Sequence, residues 1–174
     1  MMNMPIAAGN LFYGSFDLQS ALTNALKATK FGQPFNRKPI KFTGYYKYRP
    51  ETKVTDKYLH ELPNVKDSAA VYAVFYRNHD ANGQKIVLDG STIKTSKAII
   101  ARADMEFVKP QNDWTPFELT FTFVSEPDLD VMEQNGYSLA LVFSSSKQGD
   151  AFIGAIGSTL CIDKVRIICE KEQK

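Results

Sequence analysis

The chain has 174 residues, 44% of them hydrophobic and 12% aromatic, which is enough for one domain with a sizeable core. Its 21 basic and 19 acidic residues leave a net charge of only +2, which argues against a nucleic-acid binder or a membrane-surface binder. No apolar run reaches the roughly 20 residues that cross a bilayer, and the first residues lack the basic and apolar regions of a secretory signal. We expect a single domain over residues 7–170, with flexible termini at 1–6 and 171–174.

Two different periodicities appear in the first third of the chain. Residues 18–28 (LQSALTNALKA) space their apolar side chains as a helix does, although the run is also compatible with a loop. Residues 38–48 (KPIKFTGYYKY) instead alternate apolar with polar side chains. A period of two indicates a strand that is buried on one face only.

The rest of the chain continues with strand patterns. Residues 69–77, 97–103 and 137–145 are apolar on both faces, which indicates central strands covered from two sides. Residues 116–124 (PFELTFTFV) alternate most clearly, and Asn-Gly and Asp-Gly turn signals lie between the segments. The spacing predicts an all-β antiparallel sandwich of two packed sheets. Its core is predicted to include Phe117, Leu119, Phe121, Phe123, Leu139, Leu141 and Phe143.

The last strand changes phase in the middle. In residues 157–167 (GSTLCIDKVRI), the apolar residues before Asp163 lie on one face of an extended chain, but those after Lys164 lie on the other. A β-bulge at these two residues keeps both apolar sets on the core side. Bulges commonly re-aim a side chain, so the pattern predicts an irregular pairing near Asp163.

Four stretches resemble a known family: AAGNLFYGSF, FGQPFNRKPIKFTGYYKYRP, VYAVFYRN and YSLALVFSSSKQGDAFIGAIGSTLCIDKVRIICE. From about Ala7 to Glu170 the chain is similar to the putative carbohydrate metabolism domain. The resemblance implies a β-sandwich of jelly-roll type, similar to carbohydrate-binding modules. It also implies a module of a surface lipoprotein of Gram-negative gut bacteria, associated with the outer membrane at the cell surface or in the periplasm.

The resemblance to binding modules also implies a structural calcium ion. Calcium-bearing jelly rolls often pair an acid that follows an N-terminal NGxFE-like stretch with an aspartate of the last strand. The matching metal ligands here are Asp17, after NLFYGSF, and Asp163, in CIDKV. Calcium takes about six to eight oxygens, so loop carbonyls would complete the shell. The alternative is that Asp163 accepts hydrogen bonds from backbone N–H groups that the bulge leaves unpaired.

One acid pair is a candidate for catalysis. A glycosidase of this architecture needs two carboxylates about 5 to 10 Å apart. In ADMEF, Asp104 and Glu106 share one face of an extended segment. The flanking acids of the E-x-D-x-x-E pattern of jelly-roll glucanases are missing, and an acid pair at a strand end before Lys109-Pro110 is more often solvated surface.

Aromatic residues next to cations point to binding. Sugars present apolar C–H faces that stack on aromatic rings, while polar groups bind the hydroxyls. The predicted ligand-binding residues combine tyrosines with neighbouring cations: Tyr45, Lys47, Tyr72, Tyr76 and Arg77. Three other aromatic residues are predicted to lie in the core: Tyr46, Tyr48 and Trp114.

Three functions remain in competition. The first is a non-catalytic module that binds a glycan or a surface protein through aromatic and basic side chains. The second is a structural or interaction module of a surface lipoprotein, which needs no ligand pocket. The third is a glycoside hydrolase. The sequence contains no complete catalytic constellation, which favours binding over catalysis.

Overall fold

The computed structural model describes residues 7–171; of the termini predicted to be flexible (1–6 and 171–174), residues 1–6 and 172–174 lie outside the described residues. Its first strands are β1 (Asn10–Phe12), β2 (Gly14–Phe16), β3 (Thr29–Phe31), β4 (Gln33–Pro34), β5 (Pro39–Arg49), β6 (Val54–Thr55) and β7 (Ala70–Arg77). The later strands are β8 (Ile99–Asp104), β9 (Gln111–Thr120), β10 (Thr122–Phe123), β11 (Tyr137–Ser144), β12 (Gly154–Ala155) and β13 (Thr159–Cys169). Short helices are α1 (Leu18–Thr23), α2 (Ala25–Ala28) and α3 (Leu129–Glu133), with a 3-10 turn at Gly149–Ala151.

The long strands form two antiparallel sheets. The first sheet has the strand order β1–β11–β7–β8–β10, and β4 pairs with β11 beside β1. The second sheet has the order β13–β5–β9. The ladders β2–β3 and β6–β12 complete the described pairing. The predicted all-β antiparallel sandwich is therefore confirmed.

Alternation along the strands gives each sheet an apolar face, and these two faces form the shared core. The Phe42 ring of β5 lies 5.2 Å from the Phe117 ring of β9 and 5.7 Å from the Phe143 ring of β11, in edge-to-face geometry. The first pair lies within the second sheet, whereas the Phe42–Phe143 pair joins the two sheets. The predicted core is confirmed, because every predicted residue is buried in it or packs against it.

A third layer covers the outer face of the first sheet. The alternate side chains of β7, Tyr72, Val74 and Tyr76, pack there against Phe31 and Leu88. The covering layer consists of residues 12–31 and 85–96, which are tied together by backbone hydrogen bonds between them. This second apolar cluster explains why β7 and β11 are apolar on both faces.

The predicted bulge in the last strand is also confirmed. The pairing of β13 with β5 shifts register between Asp163 and Arg166, and Lys164 adopts a left-handed φ of 50°. Opposite the bulge, a Cβ on Gly44 would lie 2.8 Å from the Phe117 ring and 3.2 Å from the Asp163 carbonyl oxygen, so a larger residue would force the ring to move. The apolar residues on both sides of the bulge pack against the core: Leu160, Ile162, Val165 and Ile167.

The prediction that Trp114 lies in the core is wrong, because its side chain is 46% exposed. The indole follows the phase of Pro116 on the solvent face of β9, whereas Phe117 follows the opposite phase into the core. A second irregularity lies here, since residues 112–114 stand opposite Lys47 between two regular pairs. The other two core aromatics, Tyr46 and Tyr48, are buried as predicted.

The helical spacing of residues 18–28 is realised as α1 and α2, which meet at Asn24. Asn24 has an extended backbone, with a φ of −152°, and this interrupts the helix. Within residues 7–171, no helix has the length and apolar character that a membrane crossing requires.

Candidate ligand-binding cleft

The predicted ligand-binding residues do not line one groove. Tyr45 and Lys47 lie on the outer face of the second sheet, whereas Tyr72 and Tyr76 lie on the outer face of the first. Tyr76 is only 2% exposed, and its hydroxyl donates to the Phe31 carbonyl oxygen at 2.7 Å. It therefore fastens the third layer to the first sheet and offers no free ring face to a ligand.

Arg77 occupies a third location. Its guanidinium lies over the ring of Tyr137, 5.6 Å from the ring centroid, and donates to the Tyr137 hydroxyl at 3.3 Å. The same hydroxyl accepts from the backbone N–H of Asp128 at 2.9 Å. Arg77 therefore closes the end of the sandwich where α3 begins.

A cleft of about 660 Å³ lies over the outer face of the first sheet, between the third layer and the 3-10 turn. We call it the outer cleft. Its floor is formed by β7, β8 and β11, one wall by β2, α1 and α2, and the other wall by residues 149–152. Residues that line it include Phe12, Phe16, Ala25, Leu26, Tyr72, Lys94, Arg102, Asp104, Glu106, Val142, Lys147, Asp150 and Phe152.

Tyr72 forms part of the floor of the outer cleft. Its ring is 8% exposed, and the Arg102 guanidinium lies 5.3 Å from the ring centroid. Burial raises the pKa of the Tyr72 hydroxyl to about 12, the Arg102 charge opposes the rise, and Asp150 and Asp104 add to it. The floor therefore presents a neutral hydroxyl between two carboxylates and a guanidinium.

At the polar end of the outer cleft, the charged side chains are held by hydrogen bonds and ion pairs with one another and with the backbone. Arg102 donates to both carboxylate oxygens of Asp104, at 2.9 and 2.7 Å, and this pairing raises the pKa of the guanidinium. Arg102 also donates to the carbonyl oxygens of Ile93 and Lys94, at 3.3 and 3.4 Å. Lys94 in turn pairs with Asp150 at 2.6 Å. These contacts hold the polar groups in place before any ligand binds.

The predicted acid pair lies in the outer cleft. Asp104 is the last residue of β8 and pairs across the sheet with Tyr72. Glu106 lies two residues beyond it with an exposed side chain, and its backbone carbonyl accepts from Lys147 at 3.3 Å. The sequence thus located two of the cleft's acids, although Asp104 is already paired with Arg102.

The two predicted calcium ligands are not brought together. Asp17 caps the N-terminus of α1, where its carboxylate accepts from the backbone N–H of Gln19 at 3.0 Å and from the Ser20 hydroxyl at 2.6 Å. Asp163 belongs to the second sheet and accepts from the backbone N–H of Lys164 at 2.8 Å. Within residues 7–171, no group of three or more His, Cys, Asp or Glu side chains could hold a metal ion. Asp17 and Asp163 therefore do not contribute to one shared oxygen shell, and Asp163 makes a backbone hydrogen bond of the kind that the alternative describes.

A second hollow, of about 590 Å³, lies at the end of the sandwich beside β1 and the start of β13. Asp67 dominates the polar contacts near it, accepting from Ser146 at 2.8 Å, from the backbone of Ala155 at 3.0 Å and from Ser158 at 2.6 Å. A carboxylate engaged by three donors in this way anchors a loop. We therefore regard the outer cleft as the better candidate for a ligand site.

Sequence reasoning missed several groups of the outer cleft, including Phe16, Lys94, Arg102, Asp150 and Phe152. They come from four separate segments that only the third layer brings together. One local signal was available for Arg102, because an arginine two residues before an aspartate on one strand face can form an ion pair. No comparable signal marks Phe16 or Phe152.

The fold and the outer cleft define a β-sandwich domain with a concave, partly apolar site and a few fixed polar groups, which is the general form of a small-molecule site. The chain belongs to the family described as "putative carbohydrate metabolism domain", which matches residues 1–168. The resemblance seen in the sequence is thus confirmed. No functionally curated protein matches the chain.

The solved structures that are similar to this chain include two crystal structures. One is a crystal structure described as a putative glycoside hydrolase from Bacteroides thetaiotaomicron VPI-5482, with 41% identity, a TM-score of 0.92 and coverage of 98% of this chain. The other is a crystal structure described as a putative glycoside hydrolase from Bacteroides vulgatus ATCC 8482, with 40% identity, a TM-score of 0.86 and coverage of 97% of this chain. This chain spans 50% of the first and 66% of the second, so each similar protein has a further part.

Proposed function

We propose that this domain binds a neutral saccharide in the outer cleft and does not cleave it. The supporting observation is the cleft itself, which combines aromatic side chains with two fixed cation–carboxylate pairs and the Tyr72 hydroxyl at one end. Aromatic rings stack on the apolar faces of sugars, and paired charges of opposite sign accept and donate hydrogen bonds to hydroxyls. Membership of a carbohydrate-related family supports the same ligand class.

The charge balance of the outer cleft favours a neutral ligand. Its lining contains three cations, Lys94, Arg102 and Lys147, and three acids, Asp104, Glu106 and Asp150. A ligand with a net charge gains little from such a balanced set, whereas hydroxyl groups find both donors and acceptors there.

The pairing of the acids supports binding over hydrolysis. A glycosidase needs one carboxyl group that gives a proton and a second carboxylate in fixed opposition to it. Asp104 accepts two hydrogen bonds from Arg102, and Asp150 is paired with Lys94. Carboxylates fixed by cations in this way are suited to orienting hydroxyls rather than to releasing a proton.

Isothermal titration calorimetry, which measures the affinity for each of a panel of neutral oligosaccharides, tests the proposal. Phe152→Ala and Asp150→Asn should each weaken binding by roughly three- to thirtyfold, because one removes a stacking ring and the other a charged acceptor. Tyr58→Ala is the matched control, since Tyr58 is an exposed ring outside the cleft lining. Equal affinities for all four proteins would overturn the assignment of the cleft.

A second candidate function is glycoside hydrolysis in the same cleft. It is favoured by the description of both similar structures as putative glycoside hydrolases and by the presence of Asp104 and Glu106 in the cleft lining. Incubation with soluble polysaccharides, followed by a reducing-sugar assay, tests it. Cleavage that disappears in Asp104→Asn or Glu106→Gln would replace the binding proposal with the enzymatic one.

The third candidate is an interaction module, and the exposed apolar residues of α1 favour it. Leu18 and Leu22 are 74% and 83% exposed, and Phe16 beside them is 54% exposed. Apolar side chains gathered on one surface are typical of a contact with another protein. Substituting both leucines by Gln tests the interaction module. Loss of a bound partner protein would show that Leu18 and Leu22 contact it, whereas unchanged partner binding would show that they only lie beside the cleft.

The location at the outer membrane that the resemblance implies belongs to the proposal as well. Its test uses the native full-length protein in intact cells. Digestion by an added protease, together with recovery in the outer-membrane fraction, would support a surface location. Full protection from the protease in intact cells would contradict exposure at the surface.

A further inference from the structure

The outer face of the second sheet carries two exposed aromatic rings, each beside an ammonium group. Tyr45 on β5 is 40% exposed and Trp114 on β9 is 46% exposed. The Lys164 ammonium lies 5.8 Å from the centroid of the Tyr45 ring, and the Lys47 ammonium lies 5.2 Å from the centroid of the Trp114 ring. Neither ring contributes to the core of the sandwich. We call these four residues the aromatic platform.

Two of the three register irregularities of the second sheet occur at the aromatic platform. The bulge of β13 places Lys164 next to Tyr45, because Asp163 is the register partner of Tyr45 and the shift follows at once. The irregularity of β9 places Trp114 opposite Lys47. Bulges are designed features that re-aim side chains. The bulge of β13 therefore places the Lys164 side chain on this face of the second sheet.

The charges on this face are not neutralised within the domain. Lys41 is paired with Glu118 there. Four other cations of the face have no ion pair among residues 7–171: Lys47, Arg49, Lys164 and Arg166. The unpaired acids on these strands are Asp113 and Asp163. This excess of positive charge attracts anions, whereas the outer cleft has equal numbers of cations and acids.

We propose that the aromatic platform binds an anionic polysaccharide. Sugar rings would stack on Trp114 and Tyr45, and the acid groups of the same chain would pair with Lys47 and Lys164. An open sheet face suits an extended polymer, because it encloses no single residue and binds several along its length. This site is independent of the outer cleft, since the two lie on opposite faces of the sandwich.

Affinity gel electrophoresis in polygalacturonate tests the proposal, with methyl-esterified pectin as the matched uncharged gel. The wild-type domain should be retarded by polygalacturonate, should lose the retardation at high salt, and should migrate freely in the esterified gel. Heparin gels extend the test to sulfate groups. Migration that no anionic gel changes would overturn the proposal.

Substitutions locate the site. Trp114→Ala and Lys164→Gln should each weaken retardation by roughly three- to tenfold, because each removes one exposed contact. Trp114→Phe, which keeps a ring, should lose less than Trp114→Ala. Phe152→Ala in the outer cleft should leave the retardation unchanged, so this test and the test of the cleft fail independently. Retardation that persists fully in Tyr45→Ala/Trp114→Ala, with an unchanged melting temperature, would contradict the proposal.

Discussion

Tyr76 shows how one hydroxyl fastens the third layer to the first sheet. Its ring is 2% exposed and its hydroxyl donates to the Phe31 carbonyl oxygen at 2.7 Å. Tyr76→Phe should lower the free energy of unfolding by about 1 to 3 kcal/mol, because a buried carbonyl loses its partner. Urea denaturation measures the change. Tyr13→Phe, at a ring that is 47% exposed, should change little, and equal effects of the two substitutions would contradict this role.

Tyr72 makes stability depend on pH in the alkaline range. Burial raises its pKa from 10.0 in the unfolded chain to about 12, so the folded state holds the proton longer. The resulting stability is fully present below pH 10 and is lost as the pH rises towards 12. Between pH 10 and pH 12, the melting temperature should fall less steeply with pH in Tyr72→Phe than in the wild type. Burial also raises the pKa values of Tyr48 and Tyr76, so the variant should retain part of this pH dependence. Identical slopes in the two proteins would exclude Tyr72 as the source.

Asp17 separates the role of a helix cap from the role of a metal ligand. Its carboxylate accepts from Gln19 and Ser20, and the hydrogen bond from the Ser20 hydroxyl lowers its pKa. Asp17→Asn should preserve most of the melting temperature, because asparagine caps as well as aspartate does, whereas Asp17→Ala should lower it. A calcium ligand would behave differently. Equal losses in both variants, accompanied by a wild-type melting temperature that falls on chelation, would restore the calcium interpretation.

At the scale of elements, the bulge of β13 sets which side chains of the second half of the strand reach the core. Deleting Lys164 should turn Val165 and Ile167 to solvent and strongly destabilise the domain, because a shift of one residue exchanges the two faces of a strand. Lys164→Gly should be tolerated or stabilising, since glycine adopts the φ of 50° without strain. Chemical denaturation of both variants checks this. A deletion variant as stable as the wild type would show that the strand slips without cost.

The long strands were predictable from the sequence, and the short ones were not. The residues of β5, β7, β9, β11 and β13 alternate or are apolar throughout, so burial alone specifies them. Strands of two or three residues, such as β4 and β6, are too short for a period to emerge. The third layer was missed for a related reason, because residues 85–96 bury Leu88 and Ile93 without any regular spacing.

The indole of Trp114 shows where reasoning from residue type failed. A lone tryptophan is expected in the core because large aromatic residues are usually buried. Its phase relative to Phe117 already indicated the solvent face, and phase is the stronger constraint on a strand.

At the scale of the whole molecule, a sandwich has two outer faces, and this explains why the predicted ligand residues separate. Tyr45 and Tyr72 come from strands of different sheets, so their outward faces point in opposite directions. The sequence indicates which residues share a strand face but not which strands share a sheet. The acids of the outer cleft were partly predictable because Asp104 and Glu106 are close in the chain, whereas Asp150 reaches the cleft only through the fold.

Binding of a neutral saccharide in the outer cleft can be observed residue by residue. Nuclear magnetic resonance of the ¹⁵N-labelled domain, which is small enough at 19.5 kDa, tests it most directly during titration with neutral oligosaccharides. We expect saturable chemical-shift changes at the backbone amides of Leu26, Asp104 and Phe152, with no change at Tyr58. Shifts confined to the second sheet, or no shift with any saccharide of the panel, would contradict it.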